Sequence, residues 1–279
     1  NDPGRVLTYC STLGDMLEIG IHNMAEQNRQ AVAEREANQL RSIQEFRSNH
    51  SESADPDPVE LKPVGLVAVC VGRGMAEIFT SLGADEVVVG GKTMNPSTED
   101  LVSAINRVPA ESVVLLPNNK NVLFAAQQAV ALAGKPVKVV PTRTIPQGIS
   151  AAMAFDLDAS LDENYDRMKD AADMVATGEV TYAVRSTKTG NLDINEKDII
   201  GLADGEIRVA ARSIDEVGIE LLKLLVDEDK EIISIYYGEQ INADEANAFL
   251  SKVEETFPDL EVELHDGGQP LYYYVFGVE

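Results

Sequence analysis

The chain has 279 residues, enough for a sizeable core and for more than one compact unit. Its 23 Lys plus Arg stand against 47 Asp plus Glu, a formal net charge of -24 that repels phosphate backbones and argues against a nucleic-acid partner. No apolar run approaches the roughly 20 residues of a membrane span and no signal peptide opens the chain, so we expect no membrane insertion and a cytoplasmic location.

The chain opens at Asn1 without a methionine and reads as a fragment. Asp2-Pro3 starts a helix that Gly14 stops, and Met16–Ile21 alternates Leu17, Ile19 and Ile21 with polar or small residues, as a half-buried strand does. Residues 1–24 are therefore expected to be the tail of an upstream middle domain. Residues 25–60 are expected to be a helical connector and linker: Ala33, Ala37, Leu40, Ile43 and Phe46 give a thin apolar stripe, and the Ser51–Pro58 run of acids, small residues and prolines has nothing to bury.

From residue 61 the character changes. Val64–Cys70, Glu86–Val89, Ser112–Leu116 and Val137–Val140 are short, nearly continuous apolar runs alternating with helical segments, the pattern of a parallel sheet covered on both faces. Ser97 with Asp100 marks the start of the second helix, Asn118–Asn121 that of the third, and Pro146 that of the fourth. Residues 61–156 make a parallel α/β subdomain on this reading. Residues 157–279 make a second α/β subdomain with a mixed sheet. It begins with a capping box at Ser160 and Glu163 and a helix ended by Gly178. Strands follow at Val180–Ser186, Ile199–Leu202 and Ile207–Ala211, the last two joined by an Ala203-Asp204-Gly205 turn. A helix from Ser213, a strand Ile232–Tyr237, a helix from Asn242 and a closing hairpin of Leu260–Leu264 with Leu271–Val278 complete the unit.

Ligands of parallel sheets sit where the strands end. Three such ends gather hydroxyls, amides and two cations: Thr93, Asn95 and Ser97 after the second strand, Asn118, Asn119 and Lys120 after the third, Thr142, Arg143 and Gln147 after the fourth. These nine are the candidate partner- or ligand-binding residues, with capping and loop-to-loop hydrogen bonding as the alternative for each. No general base, nucleophile or metal ligand accompanies them, so the pattern points to binding rather than catalysis, with no cofactor of its own. Gly72-Arg73-Gly74 lacks the third glycine of a dinucleotide loop, where Glu77 would repel pyrophosphate. His22, His50 and His265 lie too far apart in the sequence for a metal centre. Cys10 and Cys70, 60 positions apart, read as buried thiols rather than a disulfide.

Five longer motifs carry a resemblance: Gly90–Asp100, Leu116–Asn121, Pro146–Gly148, Gly178–Arg185 and Gly267–Tyr274. In order and together they resemble the C-terminal region of bacterial fatty acid kinase A, proteins often described as dihydroxyacetone-kinase-like. The resemblance implies a DegV- and dihydroxyacetone-kinase-like α/β fold. It also implies a noncatalytic C-terminal part of an ATP-dependent fatty acid kinase serving phospholipid synthesis, with ATP and magnesium on an upstream kinase domain of the same chain. The implied partner is a DegV-like fatty-acid-binding protein that presents its acyl carboxylate for phosphorylation. Alternatives are a dihydroxyacetone-kinase-like component that binds a small molecule, and a structural dimerisation domain that forms a homodimer.

Overall fold

The structure, a computed structural model, describes residues 61–90, 94–189 and 192–279. The expectations for the helix, strand and linker of residues 1–60 lie outside the described residues, as does Thr93. The described part forms one compact unit.

Continuous apolar runs become fully buried strands because both of their faces are covered. β1 (Lys62–Cys70), β2 (Glu86–Val89), β3 (Ala110–Leu116) and β4 (Val137–Val139) form an all-parallel sheet in the order β2-β1-β3-β4, with Val67 level with Glu86 on one side and Leu115 on the other. The helices between them are α1 (Arg73–Ser81), α2 (Thr98–Arg107) and α3 (Leu123–Leu132). The strand order reverses direction between β1 and β3, which opens a crevice beyond their carboxyl ends.

α4 (Ile145–Met153) and α5 (Leu161–Asp173) follow. α5 packs with α4 and buries Met168 and Ala172 in the core of the first sheet, so the sequence boundary at residue 157 falls before a helix that serves that sheet. The second sheet contains β5 (Ala176–Tyr182), β8 (Ile199–Ala203), β9 (Glu206–Ala211), β10 (Ile232–Tyr237), β11 (Glu261–Asp266) and β12 (Tyr274–Val278), while β6 (Thr187–Thr189) and β7 (Leu192–Ile194) pair separately. Its order is β11-β10-β12-β5-β8-β9, with β10 and β11 parallel and every other pair antiparallel. α6 (Ile214–Leu225) and α7 (Ala243–Thr256) bury Val217, Leu221, Phe249 and Val253 with the strands, and the Phe249 ring stacks on Tyr274 at 4.5 Å. Pro146 of α4 approaches Gly277, and Tyr236 and Val275 of the second sheet join the first core, so the two sheets share one seam.

The mixed α/β class and the parallel first sheet agree with the sequence reading. Several local expectations do not. β11 and β12 do not form a hairpin, because β10 lies between them and pairs with both; the Gly267–Tyr273 connection instead leaves the sheet to meet α1. The helix of residues 161–173 ends at the cap residue Met174, and Gly178 lies inside β5, where the Leu225 and Phe276 side chains close over its missing Cβ. The strand read as Val180–Ser186 is thereby Ala176–Tyr182, and the small β6–β7 hairpin begins beyond it. The third helix starts at Leu123, later than the Asn118–Asn121 segment, which is loop.

The seam rests on glycines. The Met75 amide donates to the Gly267 carbonyl at 3.1 Å, and a Cβ on Gly74 would overlap the Asp266 carbonyl oxygen. Backbone cannot yield as a flexible side chain would. Gly74→Ala should therefore destabilise by about 2–4 kcal/mol. Gly134→Ala, whose Cβ would meet nothing nearer than Asn106 Oδ1 at 3.5 Å, should stay within about 0.5 kcal/mol; urea midpoints measure both.

Candidate functional site

A cavity of about 460 Å³ opens at the crevice between the two sheets, a size suited to a small ligand. The first sheet contributes its strand-end loops: Val71 after β1, Met94 after β2, Asn118–Asn121 after β3 and Arg143–Ile145 after β4. The opposite wall is Glu179 and Val275 from central strands of the second sheet, Leu202, Asp204 and Gly205 at the β8–β9 turn, and Gln269–Tyr272 from the β11–β12 connection.

The nine sequence candidates separate here. Asn118, Asn119, Lys120 and Arg143 line the cavity; Asn95, Ser97, Thr142 and Gln147 do not. Ser97 caps α2 and its hydroxyl accepts from the Asp100 amide, with Asp100 reaching back in a full capping box. Gln147 Oε1 accepts from the Arg143 amide at 2.8 Å. Asn95 is exposed.

Asn118 and Thr142 hold the crevice together. Thr142 is fully buried and Asn118 is 2 % exposed. The Asn118 amide donates to Thr142 Oγ1 at 3.1 Å, Thr142 Oγ1 donates to Asn118 Oδ1 at 2.7 Å, and Asn118 Nδ2 donates to the Val69 carbonyl at 2.8 Å. One carboxamide thus ties the ends of β1, β3 and β4. Asn118 adopts φ 55°, a left-handed conformation that asparagine tolerates better than most side chains, and Gly148 leaves room for its amide.

The charged groups behave differently. Lys120 and Arg143 are exposed, and neither side chain makes a hydrogen bond or ion pair among the described residues. Lys120 extends toward the β8–β9 turn, where its Nζ would lie 3.5 Å from a Cβ on Gly205. Asp204 Oδ1 accepts from the Thr177 amide. Glu179 is half-buried on the cavity wall, and burial pushes its carboxyl up to about 7; Lys120 opposes the rise and Asp204 adds to it. The Tyr272 hydroxyl rises to about 12, mainly through burial and also through Glu179.

The sequence candidates omit Glu179. Its available signal is a lone acid between Gly178 and Val180 in an otherwise apolar or hydroxyl-bearing strand. His265 lies off the cavity in β11, its Nε2 3.1 Å from Glu263 Oε2 and its ring stacked on Tyr236. Cys70 is a buried free thiol pushed up to about 12 by desolvation, consistent with the thiol reading; Cys10 lies outside the described residues. Among the described residues no three His, Cys, Asp or Glu side chains gather as a metal site, and no helix is long and apolar enough to cross a membrane.

A parallel sheet of order β2-β1-β3-β4 joined through one seam to a six-stranded mixed sheet is the DegV type of α/β fold. A DegV family protein from Corynebacterium glutamicum is similar with TM-score 0.56 at 19% identity, over 78% of this chain and 98% of that one. The Fatty Acid Kinase (Fak) B3 protein of Streptococcus pneumoniae, solved loaded with linoleic acid, gives TM-score 0.52 at 11% identity, over 78% and 99%. The chain belongs to the FakA-like C-terminal family of fatty acid kinases, whose model matches residues 65–279. An uncharacterized protein of Staphylococcus epidermidis is 36% identical over 277 residues, 99% of this chain and 48% of that protein, so the chain spans about half the length of the curated relatives it matches.

Two outcomes follow from the geometry. Thr142→Val strands the Asn118 amide and Oδ1 in a dry site and should cost about 1–3 kcal/mol in urea denaturation. Glu179 binds its proton more tightly folded than unfolded, so the stability it contributes at low pH is lost as pH rises from its ordinary value of 4.5 through about 7. Glu179→Gln should remove that part of the decline, read as a smaller drop in melting temperature across the same window.

Proposed function

We propose that this chain is the noncatalytic C-terminal part of an ATP-dependent fatty acid kinase, and that it docks a DegV-like fatty-acid-carrying protein so that an upstream kinase domain phosphorylates the acyl carboxylate. Membership of the FakA-like C-terminal family supports the assignment to such a kinase. The lipid-loaded Fak B3 protein of Streptococcus pneumoniae supports a separate carrier of DegV-like fold. ATP and magnesium belong on this reading to the upstream domain; the described residues gather no acidic cluster suited to the metal. Acyl phosphate for phospholipid synthesis is the product, and the reaction is cytoplasmic.

The observation that carries the docking role is the surface just outside the cavity. Phe124 begins α3 with 69 % of its surface exposed, directly after the Asn119-Lys120-Asn121 tip, and α3 has no side-chain cap at its start. A large exposed aromatic beside hydrogen-bonding groups is the composition of an interface anchor. The tip is itself stiffened, since Asn119 Oδ1 accepts from the Asn121 amide at 2.8 Å, so little ordering entropy opposes docking.

Covering such a ring is worth about 1.5–3 kcal/mol. The double variant Phe124→Ala with Asn121→Ala should therefore weaken binding to the DegV-family fatty-acid-binding protein of the same organism by about tenfold or more, with an unchanged melting temperature. Unaltered affinity in titration calorimetry would remove this surface from the interface.

A further inference from the structure

Four polar side chains on the cavity wall, Lys120, Arg143, Glu179 and Tyr272, make no hydrogen bond or ion pair among the described residues. Elsewhere the cations are commonly paired, as in Arg107 with Glu86, Lys138 with Asp162 and Arg167 with Asp156. Partly buried polar groups without partners are costly unless something else satisfies them. We propose that the cavity binds a small amphiphile with one carboxylate head, the head held by Lys120 and Arg143 and the apolar body laid along Leu123, Ile145, Leu202 and Val275. This goes beyond the docking reading and requires no partner protein.

Charge selects the head group. With Glu179 protonated, the wall carries Lys120, Arg143 and the anchored Asp204, two positive charges against one negative. One monovalent anion completes the balance, whereas a cation would add to the excess. The apolar residues select the body, because they leave no further polar partners along the remaining wall.

The same geometry links binding to a proton. Glu179 is faced by Lys120 from the β3–α3 loop, Asp204 from the β8–β9 turn and Tyr272 from the β11–β12 connection. A carboxylate arriving among these groups is repelled by ionised Glu179 and accepts company from neutral Glu179, whose carboxyl already rises to about 7 in the folded chain. Binding therefore takes up a proton above that pH. Ligand affinity should fall as pH rises, in the direction opposite to a simple loss of ligand charge.

The test is calorimetric titration of the 279-residue chain with decanoate and, separately, with decyltrimethylammonium. Decanoate should bind saturably at about pH 6 and about tenfold more weakly at about pH 8, the ratio expected for one coupled proton. Glu179→Gln should flatten that profile and keep the tight value at both pH values, while Arg143→Ala should weaken binding at both and leave the slope. The slope of the unaltered chain is diagnostic by itself should Glu179→Gln fold poorly. Absence of saturable decanoate heat at the lower pH, an affinity that is level or rises with pH, or tighter binding of the cationic probe would each overturn the proposal.

Discussion

The crevice depends on one buried carboxamide. Two adjacent parallel strands whose helices leave in opposite directions have a gap at their carboxyl ends, with backbone groups there that no ladder satisfies. Asn118 fills this gap, donating to Val69 at the end of β1 and exchanging hydrogen bonds with Thr142 beyond β4. The left-handed turn at Asn118 then sends Asn119, Lys120 and Asn121 outward. A residue that chemically resembles a ligand contact thus serves as the joint from which the accessible tip projects.

A second constraint fixes the opposite wall. Glycines at positions 72 and 74 let the start of α1 and the β11–β12 connection approach backbone to backbone, where any Cβ would collide. That contact carries Gln269, Pro270, Leu271 and Tyr272 across to the strand-end loops of the first sheet. Gln269 is 1 % exposed and is anchored in turn by donation from its Nε2 to the Tyr236 carbonyl. The cavity is therefore the space left between two rigid edges rather than a groove in a single element. Its shape follows from packing at the seam, and its polarity from loops whose sequences are free of core duties.

Much of this was legible because it is local. The capping boxes at Ser97 with Asp100, Ser160 with Glu163 and Asn242 with Glu245 each span four residues and occur as the spacing predicts. The first sheet was legible because burial on both faces admits few polar residues. Pairing in the second sheet was not, since whether Leu260–Leu264 joins its sequence neighbour or β10 depends on where the connection is captured, here by α1. Gly178 misleads for the same reason: after a helical face it reads as a stop, yet it is required by Leu225 and Phe276 from distant segments. Among the site candidates, type alone could not separate Thr142, spent on Asn118, from Arg143, whose guanidinium has no described partner. Glu179 was hidden because its significance comes from burial and from Lys120 reaching it across the seam.

Electrostatics explains why so acidic a chain concentrates unpaired cations at one place. A formal charge of -24 spreads a repulsive field over most of the surface and discourages polyanions of every kind. That field is screened within about 8 Å at physiological salt, so it governs which large bodies approach, whereas a group inside the cavity responds to its immediate neighbours. Lys120 and Arg143 can remain unpaired there because Asp204 is held on the Thr177 amide and Glu179 is shifted toward its neutral form by burial. Were either acid free to swing onto the lysine, the local charges would cancel and the cavity would lose its preference for an anion. The backbone anchor of Asp204 and the central-strand position of Glu179 prevent that collapse, so the same packing that closes the seam also preserves the chemistry at its mouth.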